Sequence, residues 1–270
     1  MPDSIDVPRL TDQLPPDTPW RGITHLAEVD STNAEVARRG EQWAPVLADH
    51  QTAGRGRLGR DWQERPGAGL AMSVLVPAVA PPGWLPLLTG LAVREALAGV
   101  DVAAALKWPN DVQLPADGHR KVCGILCQGA GALGAGVVVG IGINVHHDRG
   151  DLPTDTATSL RLVGAEVDRT DLAAGVLTGL ARMHADLVAG GTRAKGVRAA
   201  YRAACDTLGR RVVVHLPDGT REEALADGID EDGRLVVDGP RGWTTVAAGD
   251  VQHIRAAGAS RTQGQHRQEH

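Results

Sequence analysis

The feature that most restricts the fold of this chain is a change of pattern at Leu208. Before it, helical spacings alternate with short apolar strands. After it no stretch has helical spacing, and five short β runs follow at roughly 210–216, 220–229, 233–238, 242–247 and 251–255. The turns between them, at Pro217-Asp218-Gly219, Glu231-Asp232-Gly233 and Asp238-Gly239-Pro240-Arg241-Gly242, suit tight reversals in an all-β unit. Residues 207–256 are therefore expected to form a small barrel of SH3-like size, and residues 23–206 a larger unit mixing strands and helices. The Pro- and Asp-rich residues 1–22 read as a flexible arm, and the polar residues 257–270 as a disordered tail.

Within the larger unit, strands are expected at 23–29, 46–50, 70–76, 105–108, 112–114, 121–128 and 137–145, and helices at 34–39, 84–97, 171–187 and 195–205. With no Phe and one Tyr, aliphatic side chains must fill the core, and the six Trp stand out. A net charge of −5 argues against a general nucleic-acid or anionic-membrane binder. The start of the chain has no secretory-signal pattern, and no uninterrupted apolar run approaches the ~20 residues of a membrane helix, so a cytoplasmic protein is expected. Cys123 and Cys127 read as small hydrophobes of a buried strand, and His146-His147 as a solvated loop.

Four segments carry chemistry, each with a plain alternative. Gln51-Thr52-Ala53-Gly54-Arg55-Gly56-Arg57-Leu58-Gly59-Arg60-Asp61-Trp62 offers glycines that let backbone N–H groups approach an anion and arginines that fork onto its oxygens. A solvated basic turn or an RNA contact has the same composition. Lys107-Trp108-Pro109-Asn110-Asp111 sets a cation and a metal-binding carboxylate at one strand end, or a surface ion pair. Lys121 opens an apolar strand beside Gly124, reaching a ligand carboxylate or only snorkelling to solvent. Gly140-Ile141-Gly142-Ile143-Asn144 places glycines in a buried strand, for a ligand or for close packing, and Asn144 needs a polar partner. No motif supplies a nucleophile from the protein.

Taken in order, Ser31-Thr32-Asn33, the Gly/Arg loop, Lys107–Asp111, Lys121 with Gly124-Ile125-Leu126, and Gly140–Asn144 resemble the biotin protein ligase family over about residues 23–255. The resemblance implies an α+β fold: a mixed, mostly antiparallel sheet with flanking helices, akin to class II aminoacyl-tRNA synthetases, plus the SH3-like β-barrel. It implies ATP-dependent activation of biotin as an adenylate, with Mg2+, and transfer to a lysine of a biotin carboxyl carrier protein or domain. By position it assigns Ser31, Thr32, Asn33, Gln51, Gly54, Arg55, Gly56, Arg57, Lys121, Gly124 and Gly140 to biotin. It assigns Arg60, Trp62, Lys107, Asn110 and Asn144 to ATP, and Asp111 to the metal. Arg55, Arg57 and Lys121 are the expected catalytic cations.

The chain departs from the family at Gln128, where a glutamate is common. The short stretch before the first strand implies a ligase without a DNA-binding domain: no nucleic-acid or membrane partner is expected, and self-association would extend at most to a weak homodimer. A lipoate-type ligase of the same fold, a DNA-binding repressor and a non-catalytic biotin-binding protein are the competing readings.

Overall fold

The computed structural model describes residues 4–129, 136–215, 220–246 and 251–253. In chain order the elements are α1 (Val7–Gln13), β1 (Thr24–Leu26), α2 (Thr32–Arg39), β2 (Val46–Ala48), β3 (Gly69–Pro77), α3 (Trp84–Ala98), β4 (Ala105–Lys107), β5 (Asp111–Leu114), β6 (Arg120–Gly129) and β7 (Gly136–Asn144). They continue with α4 (Arg169–Ala189), α5 (Gly191–Ala204), β8 (Arg211–His215), β9 (Arg221–Ile229), β10 (Leu235–Gly239), β11 (Gly242–Val246) and β12 (Val251–His253).

Strands β1 to β7 form one sheet in the order β1-β2-β3-β7-β6-β5-β4. Only the β1–β2 pair is parallel. The mixed, mostly antiparallel sheet that the resemblance implies is therefore present. Alternation along the strands divides its two faces. Val74, Val76 and Val139 join the main core with α3, α4 and α5, whereas Leu75 and Val138 turn the other way and pack with Val36 of α2. On the core side, aliphatic helices pack closely through small residues. A Cβ on Gly179 of α4 would lie 3.2 Å from the Ala92 Cβ of α3, so the helices meet almost backbone to backbone. That closeness suits a core that has no Phe. Helix α4 is long and apolar enough to cross a membrane by length and composition, but most of it is buried inside the fold, as in a core helix.

Two expectations need correction. The stretch 1–22, expected as a flexible arm, is not simply loose in its described part, residues 4–22: Asp6 caps α1 by accepting from Arg9 N at 3.0 Å, and Leu10 is fully buried. The helix is docked on the start of α4, where Arg9 pairs with Asp168 and Gln13 Nε2 donates to Asp171 Oδ1 at 2.8 Å. Composition could not show this, because the apolar seat for Leu10 exists only once α4 has folded. The small unit is also less separate than its sequence suggests. Its strands form a five-stranded antiparallel sheet, β11-β10-β9-β8-β12, as expected. However, Val212, Val214, Ala224, Leu235 and Val237 share one core with the large unit.

Two tryptophans join the units. Trp84 Nε1 donates to Glu231 O at 2.8 Å and Trp108 Nε1 to Gly233 O at 3.0 Å, both in the turn between β9 and β10. A Cβ on Gly83 would sit 2.2 Å from Asp232 O, which only glycine permits. The tail 257–270 lies outside the described residues.

Candidate active site

The site begins as a bare strip of sheet. Residues directly opposite each other on neighbouring strands share a face. The register aligns Ala71 (β3), Gly142 (β7), Gly124 (β6) and Asp111 (β5) in one row. The neighbouring row holds Ser73, Gly140 and Leu126. Both rows lie on the face that carries α2, since Ser73 and Gly140 share the parity of Leu75 and Val138. Glycines at the centre leave a groove of about 440 Å³, counted to its open mouth. Its walls include Ser31, Thr32, Asn33, Gln51, Arg55, Gly56, Arg57, Trp62, Asn110, Lys121, Gly124 and Gly140.

The Gly/Arg segment is a tight hairpin over this strip. Trp62 N donates to Gly54 O at 2.9 Å, Gly56 N to Arg60 O at 2.7 Å, and Arg55 bridges Asp61. A turn closed by Arg60 N donating to Arg57 O at 3.3 Å forms the tip. There Leu58 (φ 59°, ψ 33°) and Gly59 (φ 72°) both take positive φ, the conformation of a two-residue hairpin turn whose twist suits its strands. Gly54 is required at the base, because a Cβ there would lie 2.6 Å from Trp62 O. At the far end the Trp62 indole covers the glycines: a Cβ on Gly142 would be 2.5 Å from the ring, and one on Gly124 3.0 Å.

Charge and polarity are arranged around that indole. Lys121 Nζ lies 5.7 Å from the ring centroid and 2.7 Å from Asp111 Oδ1. Arg57 Nη1 donates to Asn110 Oδ1 at 2.7 Å, while Asn110 Nδ2 donates to Ile125 O at 3.0 Å, so the guanidinium is held over β6. Among the described residues, Arg55 has no carboxylate partner, and it stands exposed at the mouth. On the α2 side, Gln51 Oε1 accepts from both Thr32 N (2.9 Å) and Thr32 Oγ1 (3.0 Å). Ser73 Oγ donates to Asn33 Oδ1 at 2.6 Å, and Asn33 Nδ2 donates to Gln128 Oε1 at 2.7 Å. Gln128 therefore accepts the bond that a glutamate would accept in its place. Asn33 also fills the space above Gly140, where a Cβ would lie 2.0 Å from its Oδ1. Ser31 stands at the N-cap of α2 without a side-chain capping bond, which leaves its hydroxyl to the groove.

Some expected residues lie elsewhere. Arg60 and Lys107 do not line this groove, and neither does Asn144, whose Nδ2 donates to Thr158 O at 2.9 Å and gives the buried amide its polar partner. Asp111 reaches the groove only through Lys121. Trp62, expected on the nucleotide side, packs on Gly124 among the residues expected around biotin. Residues absent from the sequence-based set are Ser73, Gly142 and Glu64. The first had a legible signal, as the single polar residue in an apolar strand; Glu64 had none. Burial pushes the Glu64 carboxyl upward, against hydrogen bonds from Trp62 and Gln51.

Cys123 is fully buried on β6, as expected, and burial pushes the Cys127 thiol up to about 12, so neither is a nucleophile. Among the described residues no cluster of His, Cys, Asp and Glu forms a metal site. His147 corrects the expectation of a solvated loop: it is fully buried, with no partner for either ring nitrogen among the described residues, and burial lowers it to about 4. The folded state thus favours the neutral ring, whereas the unfolded chain takes up the proton near pH 6.5. This contribution is complete above pH 6.5 and lost as the pH falls towards 4, by up to about 3 kcal/mol. Urea unfolding across that window should show a shallower loss for His147→Phe than for wild type; equal slopes would remove His147 as the cause.

A cationic groove floored by bare sheet and covered by a glycine–arginine hairpin suits a small anionic ligand, and the comparisons place it in a ligase domain. The family model that matches residues 29–144 is described as the Biotin/lipoate A/B protein ligase family, and residues 207–254 match the biotin protein ligase C terminal domain. The chain is 37% identical to a Mycobacterium tuberculosis biotin--[acetyl-CoA-carboxylase] ligase over 93% of its length and 96% of that protein's. It is 34% identical to the enzyme of the same name from Paracoccus denitrificans, covering 84% of this chain and 98% of the other. The Aquifex aeolicus biotin protein ligase, solved in complex with biotin and ATP, superposes with a TM-score of 0.73 at 27% identity, covering 88% of this chain and all of that one. The chain belongs to the biotin protein ligase family.

Proposed function

We infer that the protein is an ATP-dependent biotin protein ligase, which joins biotin to AMP and then passes it to a lysine of a carrier domain. The observation that carries this reading is the convergence of Arg55, Arg57 and Lys121 on one narrow groove whose polar end is built from Thr32 and Gln51. In the first step a biotin carboxylate oxygen attacks the α-phosphorus of ATP, and the bond to the β-phosphate oxygen breaks, releasing pyrophosphate. Two anions must meet, and fixed cations lower that barrier most when they need no reorganisation. Arg57, already tied to Asn110, and Lys121, tied to Asp111, meet that need.

Asp111, whose Oδ1 already pairs with Lys121 at 2.7 Å, would offer its other oxygen to a magnesium ion carried in on ATP, a cation that takes few protein ligands. Bound there, the ion would neutralise phosphate charge. In the second step the acceptor amine attacks the acyl carbon, the bond to AMP breaks and the amine gives up a proton, so the protein needs no nucleophile of its own. The glycine–arginine hairpin over the groove is suited to keeping water from the mixed anhydride. The acceptor in this reading is the carrier domain of a biotin-dependent carboxylase, and use of ATP supports a cytoplasmic enzyme.

The test is biotin-dependent ATP–pyrophosphate exchange with magnesium. Exchange is expected with biotin; exchange with lipoate alone would overturn the reading. Arg55→Ala is expected to shorten the lifetime of the bound adenylate by about tenfold, the loss of roughly one charge-assisted hydrogen bond. An unchanged release rate in a filter assay would exclude Arg55 from retaining it.

A further inference from the structure

Glu64 follows the hairpin by two residues and turns back beneath it. Its Oε2 accepts from Trp62 Nε1 at 3.3 Å and its Oε1 accepts from Gln51 Nε2 at 3.4 Å. The carboxylate therefore bridges the end of the hairpin and the residue that holds Thr32. It also has no room to swing away on one side, where it is packed so close to Gly69 that a Cβ there would lie 2.9 Å from Oε2.

A surface ion pair would be the ordinary use of such a residue, and the neighbouring cations are engaged elsewhere. Arg65 Nε pairs with Asp151 at 3.1 Å and His50 Nδ1 with Glu28 at 3.1 Å. Among the described residues no cation pairs with Glu64 and no metal cluster includes it. Burying a carboxyl without a cation is costly unless its oxygens meet donors. The donors it meets belong to two residues of the groove: the side chains of Trp62 and Gln51, joined by the Gln51 backbone N–H.

We propose that Glu64 is a positioning residue of the ligase: it fixes the Trp62 indole over Gly142 and the Gln51 amide against Thr32 at the same time, and so sets the shape of the biotin pocket. Both effects follow from the bonds named. Gln51 has one amide orientation that presents Nε2 to Glu64 and Oε1 to Thr32, so the acceptor on one side determines what is offered on the other. Trp62 pivots on its backbone, which is tied to Gly54, and among the described residues the hydrogen bond of its indole N–H goes to Glu64. Losing the carboxylate frees two walls of one groove. The inference rests on the biotin ligase reading, because biotin is the ligand whose pocket these walls define.

The experiment is calorimetric titration of biotin into the full-length protein, with adenylate release measured in parallel. Glu64→Ala is expected to weaken biotin about tenfold and Glu64→Gln about threefold, since the amide keeps one acceptor oxygen and loses the other. Trp62→Phe retains a ring and removes the N–H. The loss on Glu64→Ala should be smaller in a Trp62→Phe background than in wild type, whereas a general loss of stability would cost the same in both. The Trp62 indole N–H resonance, assigned by its absence in Trp62→Phe, should move upfield in both Glu64 variants. If Glu64→Ala does not fold, Glu64→Gln decides through the same shift and affinity. Biotin affinity within twofold of wild type in the Glu64 variants, tighter binding, or an unmoved indole resonance would overturn the proposal. A wild-type protein that binds no biotin would instead overturn the ligase reading.

Discussion

Replacing Lys121 by alanine is expected to lower biotin-dependent pyrophosphate exchange by about 10²–10³-fold, the usual consequence of removing one preorganised electrostatic contact from a transition state. The ammonium does three things in this structure. It presents a positive charge at the groove, it holds Asp111 at 2.7 Å, and it lies against the Trp62 ring. Without it, the Asp111 carboxylate would face the incoming phosphates without its neighbouring cation. The deficit should appear both in biotin affinity and in the rate of the chemical step. Lys121→Arg should recover charge but not geometry, because a planar guanidinium cannot take the place of a compact ammonium beside Asp111. Exchange assays over a range of biotin concentrations separate the two effects. Exchange within tenfold of wild type for Lys121→Ala would show that the cation does not serve the reaction.

Replacing Trp108 by alanine is expected to cost about 3–5 kcal/mol of stability, the range for deleting a large buried aromatic. Trp108 is 2% exposed, and its Nε1 donates to Gly233 O across the seam between the two sheets. Its backbone N–H also donates to Thr207 Oγ1 at 3.0 Å, where the chain enters the small unit. For a chain of this length that loss corresponds to a fall in melting temperature of roughly 10 °C. Trp108→Phe should cost about 1–2 kcal/mol, the loss of the N–H bond with most of the packing retained. A melting temperature within about 2 °C of wild type for Trp108→Ala would refute the view that this residue joins the units.

Trp108 also shows how sequence and structure divide the explanation. It lies between Lys107 and Asp111, in a stretch whose resemblance points to nucleotide, and nothing in its spacing separates a ligand contact from a structural one. The structure makes it a structural contact. Trp62 went the other way: its place after the arginines marked it as a ligand residue, and the structure sets it on Gly124 and Gly142 rather than outside the groove. Asn144 was legible as an amide needing a polar partner, but its partner, Thr158 O, lies fourteen residues further along the chain, in a loop that periodicity does not describe.

What the sequence by itself determined is what depends on local chemistry: the strands and helices from their periodicity, the all-β character after Leu208, and the Gly/Arg segment from glycines that tolerate positive φ and close approach. Family resemblance added the expectation of which residues serve biotin and which serve ATP. Only the tertiary structure decided what depends on residues far apart in the chain. The row Ala71, Gly142, Gly124 and Asp111 exists because four strands adopt one register. Helix α1 is ordered because Leu10 finds a seat near α4, and Glu64 matters because folding brings Gln51 and Trp62 to the two sides of one carboxylate. Burial and hydrogen-bond partnership are properties of the assembled core, and no short stretch of sequence contains them.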